Sequence, residues 1–397
     1  MISLKSILFV SPNGVLQNGA ERTIYDFMCY LTDSGYKVFN AFSEYKKGTN
    51  TKYRNAMTEK GIVPIGIRYL TWWPDAPGQN RERPADSIRD RIAIRLIRKA
   101  ISRNKIDIVI SNTVNVYHGA IAASCEKVRH IWLIHEFPER EFAYYRNKIK
   151  FISDHSDAVF SVGGALNECL NSLFIDKHVG TFLPYSSQGN NLSAVRSGSK
   201  TRVVSIGVIA ELKNQIELLE AFSLIPEDMR RDLELVFIGD YEAEYKQRFD
   251  QIVSENDYKV TCLGFKDNPW EYVTDKDIVV LPSKMESFPC VCTEALMLGV
   301  PVIASDNLGF KSIYELFGHV SLYPLGNAKA LADKIIALLS NFNEEKRKVV
   351  DTQEEVRRRF RVDTAYADLI KEISEDKPVS NKPRYSSKEL NALVNKD

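Results

Sequence analysis

Residues 278–304 read IVVLPSKMESFPCVCTEALMLGVPVIA. Ile278–Leu281 is a short, unbroken apolar run of the kind that a strand buried on both faces requires. A loop holding Glu286 follows. Ser287 and Pro289 are expected to supply the cap and first-turn proline of a helix that carries Glu294. Gly299-Val300-Pro301 then stops that helix, and a second apolar run starts at Val302. Strand, loop, helix and strand in such close succession make the repeating unit of a parallel sheet covered by helices.

The same alternation extends outward on both sides. Towards the carboxyl end it predicts one further strand at Val320–Leu322 and a helix at Ala328–Leu339. Towards the amino end it predicts strands at Arg202–Ile206, Leu233–Ile238 and Val260–Leu263, with helices at Lys213–Leu224 and Glu242–Glu255. Residues 185–200, YSSQGNNLSAVRSGSK, interrupt it as a polar linker. Before the linker the pattern recurs, with strands expected at Ser6–Val10, Lys37–Phe42, Ile62–Ile65, Ile106–Ile110, His130–Ile134 and Ala158–Ser161 and notable helices at Glu21–Thr32 and Asp86–Arg103. The chain therefore reads as α/β throughout, with a first domain over 1–184 and a second over 185–355. A helix is expected over 356–376, returning to the first domain, and a disordered polar tail over 377–397. Two such halves imply a cleft, and open parallel sheets bind ligands at the carboxyl ends of their strands.

Composition sets outer limits. The chain has 397 residues, 44% of them hydrophobic and 26% charged, and a net charge of +1. That length suits two domains, and that charge gives no overall field selecting nucleic acid. Six scattered cysteines lack the paired spacing of a disulfide framework or zinc site, which fits a reducing compartment. The opening apolar run meets Ser11-Pro12 too early for a signal segment, and no later run reaches the roughly 18 apolar residues of a spanning helix. A cytoplasmic protein is expected.

Within 278–304 the loop leads into a helix amino terminus, where free N–H groups and the helix dipole favour an anion such as a diphosphate. Pro289 to Glu294 spans roughly 7–8 Å at 1.5 Å per residue, so Glu286 and Glu294 suit the two ends of one extended ligand. An ionised carboxylate can accept both hydrogen bonds of a vicinal diol, which ribose and hexose each offer. The competing reading is a solvated loop residue at Glu286 and a surface helix residue at Glu294.

This segment resembles the pattern of glycosyltransferase family 4, of the GT-B fold: a Glu, seven intervening residues, a second Glu, an Ala-rich helix and a Gly-x-Pro-Val strand. The resemblance implies two Rossmann-like domains facing across a cleft. It places Glu286 against the transferred sugar and Glu294 on the ribose, with backbone amides of Ser287, Phe288, Cys290 and Val291 on sugar and phosphate.

Three more segments fit the same family. In VVSIGVIAELKNQIELLEAF, Val203–Phe222, Gly207 permits close backbone approach, and Lys213 and Asn214 match the phosphate-binding loop. Val208 stands where many members have Arg. In the first loop, SPNGVLQNGAERTIYDF, Gly19 matches the second glycine of Gly-Gly-x-Glu, with Asn18 in place of the first; a plain strand-to-helix turn is the alternative. In HIWLIHE, 130–136, His135 matches a histidine near the reactive carbon of the sugar, against the reading of a structural histidine. The nucleotide base is expected near Gly264-Phe265-Lys266.

The resemblance implies a retaining, metal-independent transfer of a hexose-type sugar from a nucleotide diphosphate donor, UDP by default, to a glycan, lipid-linked or protein acceptor in polysaccharide biosynthesis. His135, Glu286 and Lys213 are the expected catalytic residues, with no cofactor beyond the sugar nucleotide. Asp275-Lys276-Asp277 is an Asp-x-Asp, but it abuts the amino end of its strand and is not expected to hold a metal. The alternatives are a non-catalytic GT-B-like partner subunit, which the missing Arg favours, and a GT-B sugar-nucleotide epimerase.

One local charge feature stands apart. Between Asn80 and Lys105 the chain carries Arg81, Arg83, Arg89, Arg91, Arg95, Arg98, Lys99, Arg103 and Lys105 against Glu82, Asp86 and Asp90. The helical reading groups Ile88, Ile92, Leu96, Ile97 and Ile101 on one side, covering the sheet, and puts Arg91, Arg95 and Arg98 on or beside the other. The basic side, with Trp72-Trp73, is expected to meet an anionic membrane surface on its cytoplasmic face.

Overall fold

The computed structural model describes residues 5–16, 19–44, 50–71, 84–185 and 195–380. They form two compact units, one of the described residues up to 185 together with 365–380 and the other of 195–364.

Unit 1 is built on seven strands: β1 (Ser6–Ser11), β2 (Lys37–Ser43), β3 (Val63–Ile67), β4 (Ile108–Asn112), β5 (Arg129–Ile134), β6 (Ala158–Val162) and β7 (Val179–Phe182). All pair in parallel, in the order β3-β2-β1-β4-β5-β6-β7. β1, β4 and β5 are buried along their whole length, which is why their sequences run apolar instead of alternating. The connecting helices are α1 (Gly19–Asp33), α2 (Thr51–Glu59), α3 (Pro84–Asn104), α4 (His118–Glu126), α5 (Ile149–His155) and α6 (Ala165–Leu173). β7 went unread in the sequence. It is four residues of VGTF whose Gly180 lies flat on the Phe160 ring, where a Cβ would come within 2.5 Å of Cε1.

Unit 2 repeats the plan with β8 (Val203–Ile206), β9 (Leu235–Ile238), β10 (Val260–Cys262), β11 (Ile278–Leu281), β12 (Val302–Ser305) and β13 (Val320–Tyr323). They too are parallel, in the order β10-β9-β8-β11-β12-β13. Its helices are α7 (Gln215–Ser223), α8 (Glu227–Arg230), α9 (Ala243–Ser254), α10 (Cys290–Met297), α11 (Leu308–Phe317), α12 (Ala328–Ser340) and α13 (Phe342–Arg359). The core on one face joins Phe222, Phe237, Phe249 and Tyr258 to Leu218, Ile278 and Ile303. Phe237 and Phe249 meet edge to face at 5.0 Å, and each such buried ring contributes about 1.5–3 kcal/mol. Both sheets are thus the α/β, Rossmann-like arrangement expected, and each reverses strand order once, at β1/β4 and at β8/β11. Loops leaving the carboxyl ends of those strands diverge there, which opens a crevice for a ligand.

Several expectations need correction. The helix drawn from Lys213 starts at Gln215, because Asn214 adopts φ 57° in the left-handed region. The single helix expected over 356–376 is three pieces: the end of α13, then α14 (Val362–Ala365), then α15 (Ala367–Ser374). α15 belongs to unit 1: just before it, Tyr366 stacks on Phe27 at 4.3 Å, and Lys5 Nζ donates to the Ile373 carbonyl at 3.0 Å. Most of the proposed tail, 381–397, lies outside the described residues, as do Asn18, Trp72, Trp73 and 81–83.

The apolar side of α3 is also corrected. Ala93, Ile94, Ile97 and Ile101 are the buried residues, whereas Ile88, Ile92 and Leu96 are 48%, 50% and 44% exposed. At about 100° per residue the two sets lie on opposite sides of the helix, so the sequence reading merged two apolar stripes into one.

Candidate functional site

The carboxyl edge of the unit 2 sheet is shaped first by glycines. Gly207, after β8, has φ 140°, and nothing lies within 4 Å of where its Cβ would be. Gly239, after β9, touches it: a Cβ there would fall 2.0 Å from the Gly207 carbonyl oxygen. The Gly207 N–H donates to Ile238 O at 2.9 Å and the Gly239 N–H to Gly264 O at 3.1 Å, so three strand ends form one backbone crest.

Beside that crest, buried Gln215 shapes the loop carrying Lys213. Its Nε2 donates to Val208 O at 2.9 Å and its Oε1 accepts from the Ala210 N–H at 3.2 Å. The N–H groups of Lys213 and Asn214 both donate to Ala210 O, at 3.0 and 2.9 Å. Asn is among the few residues that tolerate the left-handed turn this needs.

The loop carrying Glu286 is held from beneath. Ser305 Oγ and Asn307 Nδ2 donate to Ser283 O at 2.6 and 2.8 Å. Asn307 Oδ1 caps α11 by accepting from Gly309 N at 3.0 Å and Phe310 N at 3.2 Å, and a Cβ on Gly309 would lie 2.4 Å from Glu286 O. The Lys284 N–H donates to Leu212 O at 2.8 Å, lacing this loop to the Lys213 loop. Lys213 Nζ then reaches Glu286 Oε1 at 2.6 Å. The lysine side chain is 39% exposed, so the pair contributes about 1 kcal/mol or less, and an incoming anion can take the lysine at small cost.

Glu294 is buried, not the surface residue of the competing reading, and its Oε2 accepts from Trp270 Nε1 at 2.8 Å. Trp270 sits in a 3₁₀ turn, Pro269–Tyr272, that Asn268 Oδ1 caps by accepting the Trp270 N–H at 3.3 Å. A carboxylate accepts several hydrogen bonds, so the indole uses only part of its capacity. The N-cap of α10 is Pro289, which offers no capping side chain; the expectation that Ser287 caps and Pro289 opens the first turn is corrected accordingly. Cys290 and Val291 are the first two helical residues and Ser287 lies in the loop before them, all partly exposed. Phe288 is buried, its ring 5.9 Å from that of Phe360. Phe265 is 48% exposed just after β10, with its N–H donated to Asp240 Oδ1 at 3.2 Å.

Gly19 and His135 belong to unit 1. Gly19 is the first residue of α1, with open space where a Cβ would be. His135 follows β5, its Nε2 2.9 Å from Asn112 Oδ1 and its ring 5.2 Å from Phe182. Burial pushes it down to about 3, so it is neutral; with Nε2 donating to Asn112, Nδ1 keeps an accepting lone pair. Next to it, Glu136 Oε2 accepts from the N–H groups of Val114 at 3.2 Å and His135 at 3.0 Å. Burial nevertheless pushes Glu136 up to about 7. Glu21, in the first turn of α1, is pushed up to about 7 by burial and then by the charge of Glu136.

The structure thus joins Lys213 to Glu286, which the sequence had placed in separate motifs. Trp270, Gln215, Asn307, Asn112, Glu136 and Glu21 were missed as supports and neighbours. Two had a local signal: Asn307, an Asn directly before a helical run, and Glu21, which stands at the Glu of the Gly-Gly-x-Glu pattern in the first loop. Asp277 is engaged elsewhere: fully buried, it pairs with Arg202 through Nε at 2.9 Å and Nη2 at 2.6 Å, and Asp275 accepts the Gly198 N–H at 2.7 Å.

Two family models match the chain: Glycosyltransferase Family 4 over residues 17–179, and Glycosyl transferases group 1 over residues 193–355. A capsular polysaccharide biosynthesis glycosyltransferase of Staphylococcus aureus, CapH, is 24% identical over 41% of this chain and 46% of its own length. The N-acetyl-alpha-D-glucosaminyl L-malate synthase of Bacillus anthracis is 24% identical over 57% of this chain and 63% of its own. The chain therefore spans less than two thirds of either relative. Among solved structures, Anabaena HepE in complex with UDP-glucose superposes with a TM-score of 0.72 at 16% identity, covering 93% of this chain and 99% of that one. S. aureus TarM, solved with fondaparinux, alpha-GlcNAc-glycerol and UDP, gives 0.74 at 11% identity over 94% and 100%. These likenesses bear on the fold alone.

Proposed function

This chain belongs to the family 4 glycosyltransferases of the GT-B fold, and on that footing we propose that it moves a hexose-type sugar from a UDP-sugar to a glycan, lipid-linked or protein acceptor, with retention at the anomeric carbon. The observation that carries this reading is the contact of Lys213 with Glu286 at the carboxyl edge of unit 2. A cation and a sugar-binding carboxylate lie within one hydrogen bond of each other there, beside a glycine crest and a helix amino terminus.

Glu294 holds the ribose, and the base lies by Phe265. The diphosphate rests on the Gly207 loop and the amides at Ser287, Phe288, Cys290 and Val291, with Asn214 fixing the turn that presents Lys213. As the sugar–phosphate bond breaks, negative charge grows on the departing UDP, and Lys213 shifts from Glu286 to that charge. The acceptor hydroxyl attacks from the same face, and its proton passes to the leaving phosphate. No metal is needed for this balance. Glu286, released from the lysine, accepts from sugar hydroxyls, while in unit 1 the neutral His135 can accept a hydrogen bond from a hydroxyl group without itself becoming charged. The polysaccharide role named for CapH supports a glycan-building pathway.

Incubation with UDP-sugars and simple acceptors, with the anomeric configuration of the product read by NMR, tests the reaction. An inverted product overturns retention. Val208, 49% exposed where the family often has Arg, favours the second reading of a non-catalytic partner subunit. Tight UDP-sugar binding with no transfer and no slow donor hydrolysis would select it.

A further inference from the structure

Helix α3 has two sides with different fates. Its inner side is pinned to unit 1: Asp90 Oδ1 lies 2.9 Å from His118 Nε2, Asp90 Oδ2 accepts from Tyr117 OH at 3.0 Å, and Ala93, Ile94, Ile97 and Ile101 are buried. That anchoring fixes which residues point out. Ile88, Ile92 and Leu96 are each at least 44% exposed. Arg95, Lys99 and Arg103 share their side, all six falling within an arc of about 100° at 3.6 residues per turn. The aliphatic three occupy the amino-terminal part of that face and the basic three the carboxyl-terminal part. The basic part lines a shallow groove with Arg98, Ser102 and Glu126. Glu126 is already engaged by Arg98 Nε at 2.7 Å and Ser102 Oγ at 2.8 Å, whereas Arg95, Lys99 and Arg103 have no ion-pair or hydrogen-bond partner among the described residues.

We infer that this outward face of α3 docks on an anionic phospholipid bilayer, with Ile88, Ile92 and Leu96 entering the interfacial layer and Arg95, Lys99 and Arg103 meeting headgroup phosphates. Charge complementarity excludes a neutral or cationic partner. The aliphatic stripe distinguishes a bilayer from a soluble polyanion such as RNA, against which three exposed aliphatic side chains gain nothing. The surface deepens the transferase reading, on which it rests for its purpose: it would bring unit 1 to a lipid-linked acceptor.

Sedimentation of the full chain with vesicles of phosphatidylcholine, alone or mixed with phosphatidylglycerol, tests it. Binding is expected only to the mixed vesicles and should weaken severalfold from low to physiological salt. Arg95→Glu/Lys99→Glu/Arg103→Glu should lower the partition coefficient at least about tenfold. Ile88→Ser/Ile92→Ser/Leu96→Ser should lower it about tenfold at physiological salt while keeping most low-salt binding. Absence of binding to mixed vesicles at low salt overturns the inference. So does an aliphatic triple variant that binds as well as the parent, which would mean a purely ionic surface for any polyanion. A triple variant that instead splits a dimer in light scattering, with vesicle binding unchanged, would reassign the face to self-association. UDP titration of the same preparations separates the two proposals: UDP binding without vesicle binding removes only the docking surface, and vesicle binding without UDP binding removes only the transferase reading.

Discussion

In unit 2, Lys213 and Glu286 meet at 2.6 Å on loops that leave the lysine 39% exposed; in unit 1, burial drives His135, Glu136 and Glu21 each towards its neutral form. The two sheets share a topology, and each presents its groups at its own carboxyl edge. What differs is the support. The unit 2 pair rides on loops, with a counter-charge in reach and water close by, so its ions can exchange partners. The unit 1 groups sit at a strand end and a helix start, against Phe182 and Tyr145, where water is displaced and ions are disfavoured. An edge of the first kind suits an anionic donor that must arrive and leave. One of the second kind suits hydroxyl groups, to which neutral donors and acceptors offer directed hydrogen bonds.

The sharpest way to break this contrast is to remove the cation. Lys213→Ala should lower kcat by a factor on the order of 10²–10³, the size of loss seen when a preorganised charge-stabilising group is deleted. It should also weaken UDP. Glu286→Gln should leave UDP affinity within about threefold of the parent or raise it, since a weak surface pair no longer competes for the lysine. Calorimetry on both variants decides. Equal UDP affinity in Lys213→Ala and the parent would show that the pair is structural.

Glu294→Ala asks whether unit 2 also contains a buried, fixed carboxylate. It should weaken UDP about tenfold, the value of a hydrogen bond to a charged group, and destabilise unit 2 by about 1–3 kcal/mol by orphaning the Trp270 N–H. Glu294→Gln keeps an acceptor for the indole and should restore most of the stability. If it also restores UDP affinity, the carboxylate charge is not what the ribose uses.

The unit 1 side is tested through pH. Glu21 has a folded-state value of about 7 against 4.5 ordinarily, so its contribution is fully present below pH 4.5 and is lost as pH rises through 7. Glu21→Gln cannot ionise and should therefore stabilise unit 1 by about 3 kcal/mol at pH 8 and by little at pH 4. Denaturant titrations at both pH values check this. An equal change at both would mean that Glu21 is not held neutral. The smallest effect is expected from chelation: with Asp277 committed to Arg202, excess EDTA should change turnover by less than about twofold. Full loss restored by manganese would place a metal in the donor site.

Much of the framework was legible because it depends on near neighbours. Twelve strands follow from apolar runs, and Gly207, Gly264 and Gly299 stand at φ 140°, 67° and 69°, where a side chain would be strained. The seventh strand of unit 1 was not legible, since four residues containing a glycine carry too weak a pattern. Helix α3 shows a different limit. A helix with aliphatic residues on both sides does not reveal which stripe faces the sheet, and only Asp90 gripping Tyr117 and His118 decides it.

At the candidate sites, the sequence singled out Glu286, Glu294, Lys213 and His135 as expectations but not their company. Lys213 and Glu286 are 73 residues apart, Trp270 and Glu294 24, and His135 and Asn112 23. Periodicity, turn residues and helix starts act over a few residues, so the sequence by itself determined two parallel α/β sheets and where their loops turn. Partnering and desolvation depend on what the folded chain brings together and on how much water it excludes. Tertiary structure alone therefore decided that the unit 2 lysine rests on Glu286, that burial pushes the histidine of unit 1 towards its neutral form, and that the second aliphatic stripe of α3 faces outward.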